Sequence, residues 1–311
     1  MADAIFSAPR FHDDEAARKH LEDIRWPNGP VCPHCGGTER NSRLNGEAHR
    51  PGLIFCGDCR SQFTVTVGTV FADSKIPLHK WVLATHLLCS SKKGMSAHQL
   101  HRTIGITYKS AWFMAHRIRK AMETRSNEPM GGSGKIVEAD ETYWGTNAVG
   151  KRNRKVGRKI TGGAEKMKIV SLVERGGKAR SFHVLNVNAK TLAPILRGQV
   201  SPETHLMTDE ARAYITIGDE FRRHSTVTHG QGEYVRGNVH TNTAESFFNI
   251  LKRGLIGTYH HVGEQHLQRY VTEFDFRYNN RTKLGVTDAQ RTDTALKGIS
   301  GKRLTYRWTH A

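Results

Sequence analysis

The sequence is short of acid. Its 311 residues hold 29 Asp and Glu against 47 Lys and Arg, a formal charge of +18 at pH 7 and a pI near 9.9. An excess of this size argues against an acidic-tail or anion-repelling protein and selects a polyanionic partner, because counterion release from nucleic acid rewards a basic surface. Long apolar runs are missing too. No stretch of eighteen or more apolar residues occurs, which excludes a membrane-spanning helix. The start, MADAIFSAPRFHDDEAARKH, lacks the basic region and apolar core of a secretion signal, so a cytoplasmic, nucleoid-associated protein is expected. Cysteine is scarce. Five are present, an odd number with four in paired spacing, which disfavours a disulfide framework and suits a reducing compartment and a metal. No internal repeat or extended low-complexity tract is present.

What the chain does hold begins with Cys32-Pro33-His34-Cys35, twenty intervening residues, then Cys56-Gly57-Asp58-Cys59. Each C-x-x-C lets two thiolates reach one tetrahedral zinc, and two such turns make a closed four-thiolate site of the zinc-ribbon kind. The helical spacing of Phe11 to Ile24 leads into it, and the strand-like pieces Pro51 to Phe55 and Gln62 to Val67 are its expected arms. From Pro77 the apolar period becomes helical, predicting helices over His79–Leu88, Ser96–Thr103 and Tyr108–Met122. The short turn at Gly105 has helix-turn-helix length. The third helix sets Lys109, His116, Arg117, Arg119 and Lys120 against Trp112, Phe113, Ala115 and Ile118, so Lys109, Arg117, Arg119 and Lys120 are expected to face DNA.

The stretch 127–134, with its Pro and three Gly, reads as a linker. Beyond it strands are predicted over Lys135–Tyr143, Lys166–Glu174, Arg180–Val187, His205–Thr208 and Ser225–Thr228. Helices are expected over Ala189–Leu196 and Ala211–Ile217. Three antiparallel strands followed by two that alternate with helices give a mixed five-stranded α/β sheet. The expected divisions are a zinc-ribbon region over 1–72, a helical DNA-binding region over 73–126, the linker, an α/β domain over 135–285 and a tail over 286–311.

Three acids stand on separate elements of the α/β domain. Asp140 lies on the first strand and Asp209 ends the fourth. Glu245 lies in HTNTAESFFNILKRGLIGTY, where Phe247, Phe248, Ile250, Leu251 and Leu255 recur at helical steps, Thr243 is the expected N-cap, and Lys252 shares a face with Glu245 two turns on. Carboxylate oxygens are what hard divalent ions such as magnesium prefer. Glu138 and Glu141 compete with Asp140 for the first position. Between the first two strands, Lys151, Arg152, Arg154, Lys155, Arg158 and Lys159 form a basic loop that suits a DNA backbone or a solvated loop equally. Asn242 and Arg253 are further candidates for gripping DNA. A helix over Glu264–Asn279 follows, with Tyr270, Phe274 and Tyr278 read as core.

The order Asp140, Asp209, Glu245 is similar to the layout of the RNase H-like metal nucleases. Thirty-five residues lie between Asp209 and Glu245, and Lys252 follows at the seventh position, which resembles the DDE transposases and retroviral integrases. With the paired cysteines, VEADETYWG and HTNTAESFFNILKRGLIGTYHHV, the chain from Cys32 to Asn279 resembles bacterial insertion-sequence transposases that carry an N-terminal zinc ribbon before a DDE domain. That resemblance implies an RNase H-like catalytic domain with two magnesium or manganese ions at Asp140, Asp209 and Glu245, with Lys252 on the DNA phosphate. Some relatives have Asn in the third position, and Asn242 and Asn249 flank Glu245; an ionised carboxylate is the better ligand for a hard cation. The implied partners are double-stranded DNA, as element ends and target, and a second copy of the chain in a dimer or larger assembly. A DNA-binding regulator and a structure-specific nuclease are the alternatives, and strand transfer in magnesium separates them from a transposase.

Overall fold

A computed structural model describes residues 5–124, 128–156 and 163–305. It divides into two compact units, 1–123 with 285–311, and 124–284.

In the first unit, Asp13 caps α1 (Asp14–Arg25) by accepting from the Ala16 amide. A small antiparallel sheet follows, β1 (Asn41–Arg43), β2 (Ile54–Cys56) and β3 (Gln62–Phe63), in that order. β1 has no sequence signal, being short and half-exposed. The turns of this module bring the four cysteines together: Sγ of Cys32 and Cys59 lie 3.6 Å apart, as do those of Cys35 and Cys56. Four thiolates at about 2.3 Å from one zinc stand about 3.8 Å apart, so the set fits a tetrahedral ion.

Three helices come next, α2 (Leu78–Ser90), α3 (Ala97–Ile104) and α4 (Tyr108–Ala121). Ser96 and Thr107 cap the last two, and Gly105 ends α3 at φ 63°, a left-handed conformation that only glycine adopts cheaply. The basic face expected on α4 is not presented to solvent. Arg117 and Arg119 are 7% and 2% exposed. The Arg117 guanidinium lies over the Trp81 and Phe113 rings and donates to the Ala72 carbonyl. Lys120 pairs with Glu123 at 2.6 Å, and of the four expected DNA contacts Lys109 stays exposed. Counting charges on a helical wheel misses this because arginine buries well when its planar head finds rings and carbonyls. The stretch expected as a tail holds α10 (Asp288–Lys297), closed by a Thr287–Gln290 capping box and packed on α2. Arg291 donates to the Cys89 carbonyl and His86 bonds Thr292; these polar residues are buried beside Ala295 and Leu296, too short an apolar set to give a readable period.

The second unit is built on five strands: β4 (Ile136–Trp144), β5 (Met167–Glu174), β6 (Ala179–Val184), β7 (His205–Asp209) and β8 (Arg223–Val227), in the order β6-β5-β4-β7-β8. β4, β5 and β6 pair antiparallel, while β7 and β8 add parallel on the other side of β4, as the mixed-sheet reading expects. Between β4 and β5 the basic loop contains α5 (Ala148–Lys155). The stretch read as a linker is partly fixed: Met130 is buried and exchanges backbone hydrogen bonds with Gln199 and Ser201.

Helices cover both faces of the sheet. Val137 and Ala139 of β4, with Val170 and Leu172, pack on α6 (Ala189–Gln199) and α7 (Arg212–Gly218). Ile169, Val173 and Ala179 pack on α8 (Asn242–Gly254) and α9 (Glu264–Asn279). The free edge of β6 is closed by α9 side chains instead of another strand. Asn279 accepts from the Ala179 amide and donates to its carbonyl, Asp275 accepts from the Ser181 amide and hydroxyl, and Gln268 accepts from the His183 amide. Three alternate N–H groups are thereby met, and the edge cannot recruit a foreign strand.

Two outcomes follow. Purified protein should carry one zinc per chain by elemental analysis, and Cys56→Ser should lose that zinc and unfold the first unit's small sheet, seen as collapsed amide dispersion for residues 32–63. Asn279→Ala should cost about 1–2 kcal/mol, the value of stranding two backbone groups at an edge, and should accelerate hydrogen exchange at Ala179 selectively.

Candidate functional site

The acids gather where parallel pairing stops. β4 and β7 stay in register through Ile136↔His205, Val137↔Leu206 and Glu138↔Met207. Two residues further along each strand stand Asp140 and, as the last residue of β7, Asp209. With the side-chain period of two, both share the face of Glu138 and Met207, the face covered by α8. A crevice beyond the carboxyl ends of parallel strands is where open α/β sheets bind ligands.

Glu245 arrives from that covering helix. The helix starts at Asn242, so Thr243 lies inside the first turn and is not the cap; Thr241 precedes the helix and makes no capping bond. The first turn's free N–H groups are met from the sheet. Glu138, fully buried, accepts from the Thr243 amide at 2.7 Å, the Ala244 amide at 2.9 Å and the Thr243 hydroxyl at 2.8 Å. Its charge is balanced by Arg175, in the turn between β5 and β6, whose Nε donates at 2.6 Å. Arg175 also donates to the Asn238 and His240 carbonyls. Glu138 is therefore a structural anchor. Glu141 points to the opposite face and accepts from the Tyr214 hydroxyl at 2.8 Å.

The electrostatics follow from this crowding. Burial pushes the Asp140 carboxyl up to about 7, helped by the charges of Glu141, Asp209 and Glu245 and opposed by the Glu141 amide that it accepts from. Asp209 is raised as well, chiefly by burial, while its bond from the Ala211 amide pulls the other way. Glu245 is the exposed member, its side chain 47% accessible, with His229 Nε2 3.9 Å from its Oε1. Among the described residues, the four thiols are the only set of three or more potential ligands whose atoms all lie within 4.8 Å of one another. Asp209 and Glu245 thus lie near enough to act electrostatically on Asp140, without the three acids closing on a point.

The remaining candidates lie around this crevice or apart from it. Lys252 is half-buried on α8, two turns past Glu245, and makes no ion pair among the described residues. Asn242, Asn249 and Arg253 are exposed on the same helix, and Lys151, Arg152 and Lys155 are exposed on α5. Arg154 belongs to α5, its side chain outside the description; Arg158 and Lys159 lie outside the described residues. Sequence reasoning passes over Arg175, Glu210 and His229. A Glu amid the apolar run of β4 hints that a buried cation must answer it, but nothing local picks out Arg175. His229 sits in a loop with no periodicity, and tertiary placement alone brings it to Glu245.

Comparison with known proteins places the family. Residues 131–279, from the approach to β4 through α9, match the ISXO2-like transposase domain, and residues 12–62 match a transposase zinc-ribbon domain. A protein in transposable element ISH50 of Halobacterium salinarum is 30% identical over 281 residues, covering 86% of this chain and 91% of that protein. A transposase-like protein of Haemophilus influenzae is 29% identical over 103 residues, covering 33% of this chain and 82% of its own length. Matched across both its cysteine module and its acid-bearing sheet, the chain belongs to the ISXO2-like transposases, with a structural-zinc ribbon ahead of the transposase domain.

Proposed function

We propose that this protein binds the ends of an insertion sequence and cuts and rejoins DNA strands with divalent cations held by Asp140, Asp209 and Glu245. One observation carries the reading: Asp140 is buried where parallel pairing stops, with the charges of Glu141, Asp209 and Glu245 near enough to act on it, and burial together with those charges pushes its carboxyl up to about 7. A structural protein gains nothing from assembling like charges at the end of its sheet; a cation site does. The donor set, oxygens alone, suits magnesium or manganese.

When bound, such ions activate a water or 3′-hydroxyl and stabilise the departing 3′-oxygen of an in-line displacement at phosphorus. The chain's own contribution is placement. Asp140 and Asp209 are set by strand register, and Glu245 by the clamp of Glu138 on the first turn of α8. Lys252 extends the same helix face and would contact the phosphate beside the scissile bond. Lys151, Arg152 and Lys155 on α5, with Arg253 and Asn242, would hold the DNA backbone, and Lys109 would serve from the first unit. Joining two element ends requires two such crevices, hence a dimer or larger assembly on DNA. A regulator with no chemistry has no need of the acid crowding.

Asp209→Asn should lower strand cleavage and transfer at least a thousand-fold in magnesium while leaving binding to element-end duplexes unchanged. A parallel loss of binding would point to a damaged fold, and retained cleavage would refute the assignment. The pH behaviour follows from the raised Asp140 carboxyl. Free of metal, the folded chain holds this proton up to about pH 7 whereas the unfolded chain releases it near 4. The group therefore costs stability progressively as pH rises through that window. Thermal midpoints in EDTA should fall between pH 5 and 7 more steeply for wild type than for Asp140→Asn, and magnesium should flatten the wild-type slope while releasing protons on binding.

A further inference from the structure

The loop from 228 to 241, between β8 and α8, is tied down along most of its length. Glu210 accepts from the His229 and Gly230 amides, both at 2.8 Å. The Thr228 amide donates to the Glu233 carboxylate and the Glu233 amide to the Thr228 carbonyl. Arg236 donates to the Thr226 carbonyl, pairs with Glu233, and exchanges two backbone hydrogen bonds with Val239. Arg175 holds Asn238 and His240.

At the centre of this frame two apolar residues face water, Tyr234 at 61% and Val235 at 51% exposure. A single exposed tyrosine is ordinary. This one differs in its neighbours. Its ring centroid is 5.1 Å from that of His229, and His229 Nε2 is 3.9 Å from Glu245 Oε1. The buried Nδ1 of His229 has no hydrogen-bond partner. An exposed aromatic ring thus stands one residue, His229, away from Glu245, on a loop whose backbone is held on both sides of it.

We propose that Tyr234, backed by His229, is a stacking platform for a nucleobase of the DNA strand that passes the carboxylates. This rests on the transposase reading above. The occupant follows from the setting. The chain is strongly basic, so its partner is a polyanion, and the π-face of a base is the apolar surface that such a polyanion carries to this position. A phenol ring meets any base without reading its sequence. Stacking there fixes the strand's register, so that one phosphate lies over the acids.

Binding and chemistry are measured separately. Duplexes and 3′-overhang oligonucleotides made from the DNA flanking the coding sequence carry 2-aminopurine at successive positions. Binding is followed in calcium, and cleavage in magnesium. Wild type should quench 2-aminopurine at one position, and Tyr234→Ala should abolish that quench and weaken overhang binding about ten-fold, the scale of one base–aromatic stack. Tyr234→Phe should keep both. An abasic nucleotide at the quenched position should weaken wild type by the same factor and Tyr234→Ala no further. Equal quenching by wild type and Tyr234→Ala, or abasic penalties that add to the mutation at every position, would overturn the proposal. Stacking in calcium without cleavage in magnesium would instead remove the catalytic reading and leave the platform standing.

Discussion

A carboxylate buried in the middle of a sheet needs donors, and the demands of Glu138 shape the second unit. With no solvent exposure, its charge is tolerable only because Arg175, two amides and a hydroxyl meet it. Those donors come from different parts of the chain: the β5–β6 turn and the first turn of α8. Satisfying one buried group therefore fixes the start of α8 on β4, and Glu245 follows in the same turn. Removing a single partner from such a pair typically costs about 3–5 kcal/mol, since the other charge is left stranded. The acid crevice inherits its geometry from a pair that takes no part in it.

The crevice reverses the sign of its surroundings. Glu141, Asp209 and Glu245 all lie within electrostatic reach of Asp140 in a chain with an excess of basic residues. A polyanion drawn to a basic surface would meet repulsion at these acids unless cations intervened. On the proposed reading, the feature that would exclude DNA from the bare acids would admit it once divalent ions neutralise them, and metal binding would be coupled to substrate placement through charge.

Much of this is legible in the sequence. The cysteine spacing selects one ion among four thiols whatever the loops between them do. The five strands of the second unit and α9 follow from apolar period and length, as does the placing of Asp140 within the first strand and Asp209 at the end of the fourth. What escapes is set by non-local partners. The N-cap of α8 is not Thr243 because the orphan amides that a capping Thr would satisfy are met by a residue more than a hundred positions earlier. The basic face of α4 is not a free surface because Arg117 finds rings and a carbonyl within its own unit and Arg119 is buried beside it. α10 buries Arg291 and Thr292 beside Ala295 and Leu296, and two apolar residues leave no period behind.

Those buried arginines bear on the charge argument as well. Among the described residues, Arg117, Arg119, Arg277, Arg291 and Lys302 are buried, as are Glu22, Glu138 and Glu273. Interior side chains of this kind should be struck from any surface estimate, which lowers the formal excess by two, from +18. The inference to a polyanion survives, but its location moves. On the proposed reading it draws on exposed side chains such as those of α5 and Arg253, and on α4 only through Lys109. Net charge argues for a polyanionic partner, and burial narrows the side chains that could meet it.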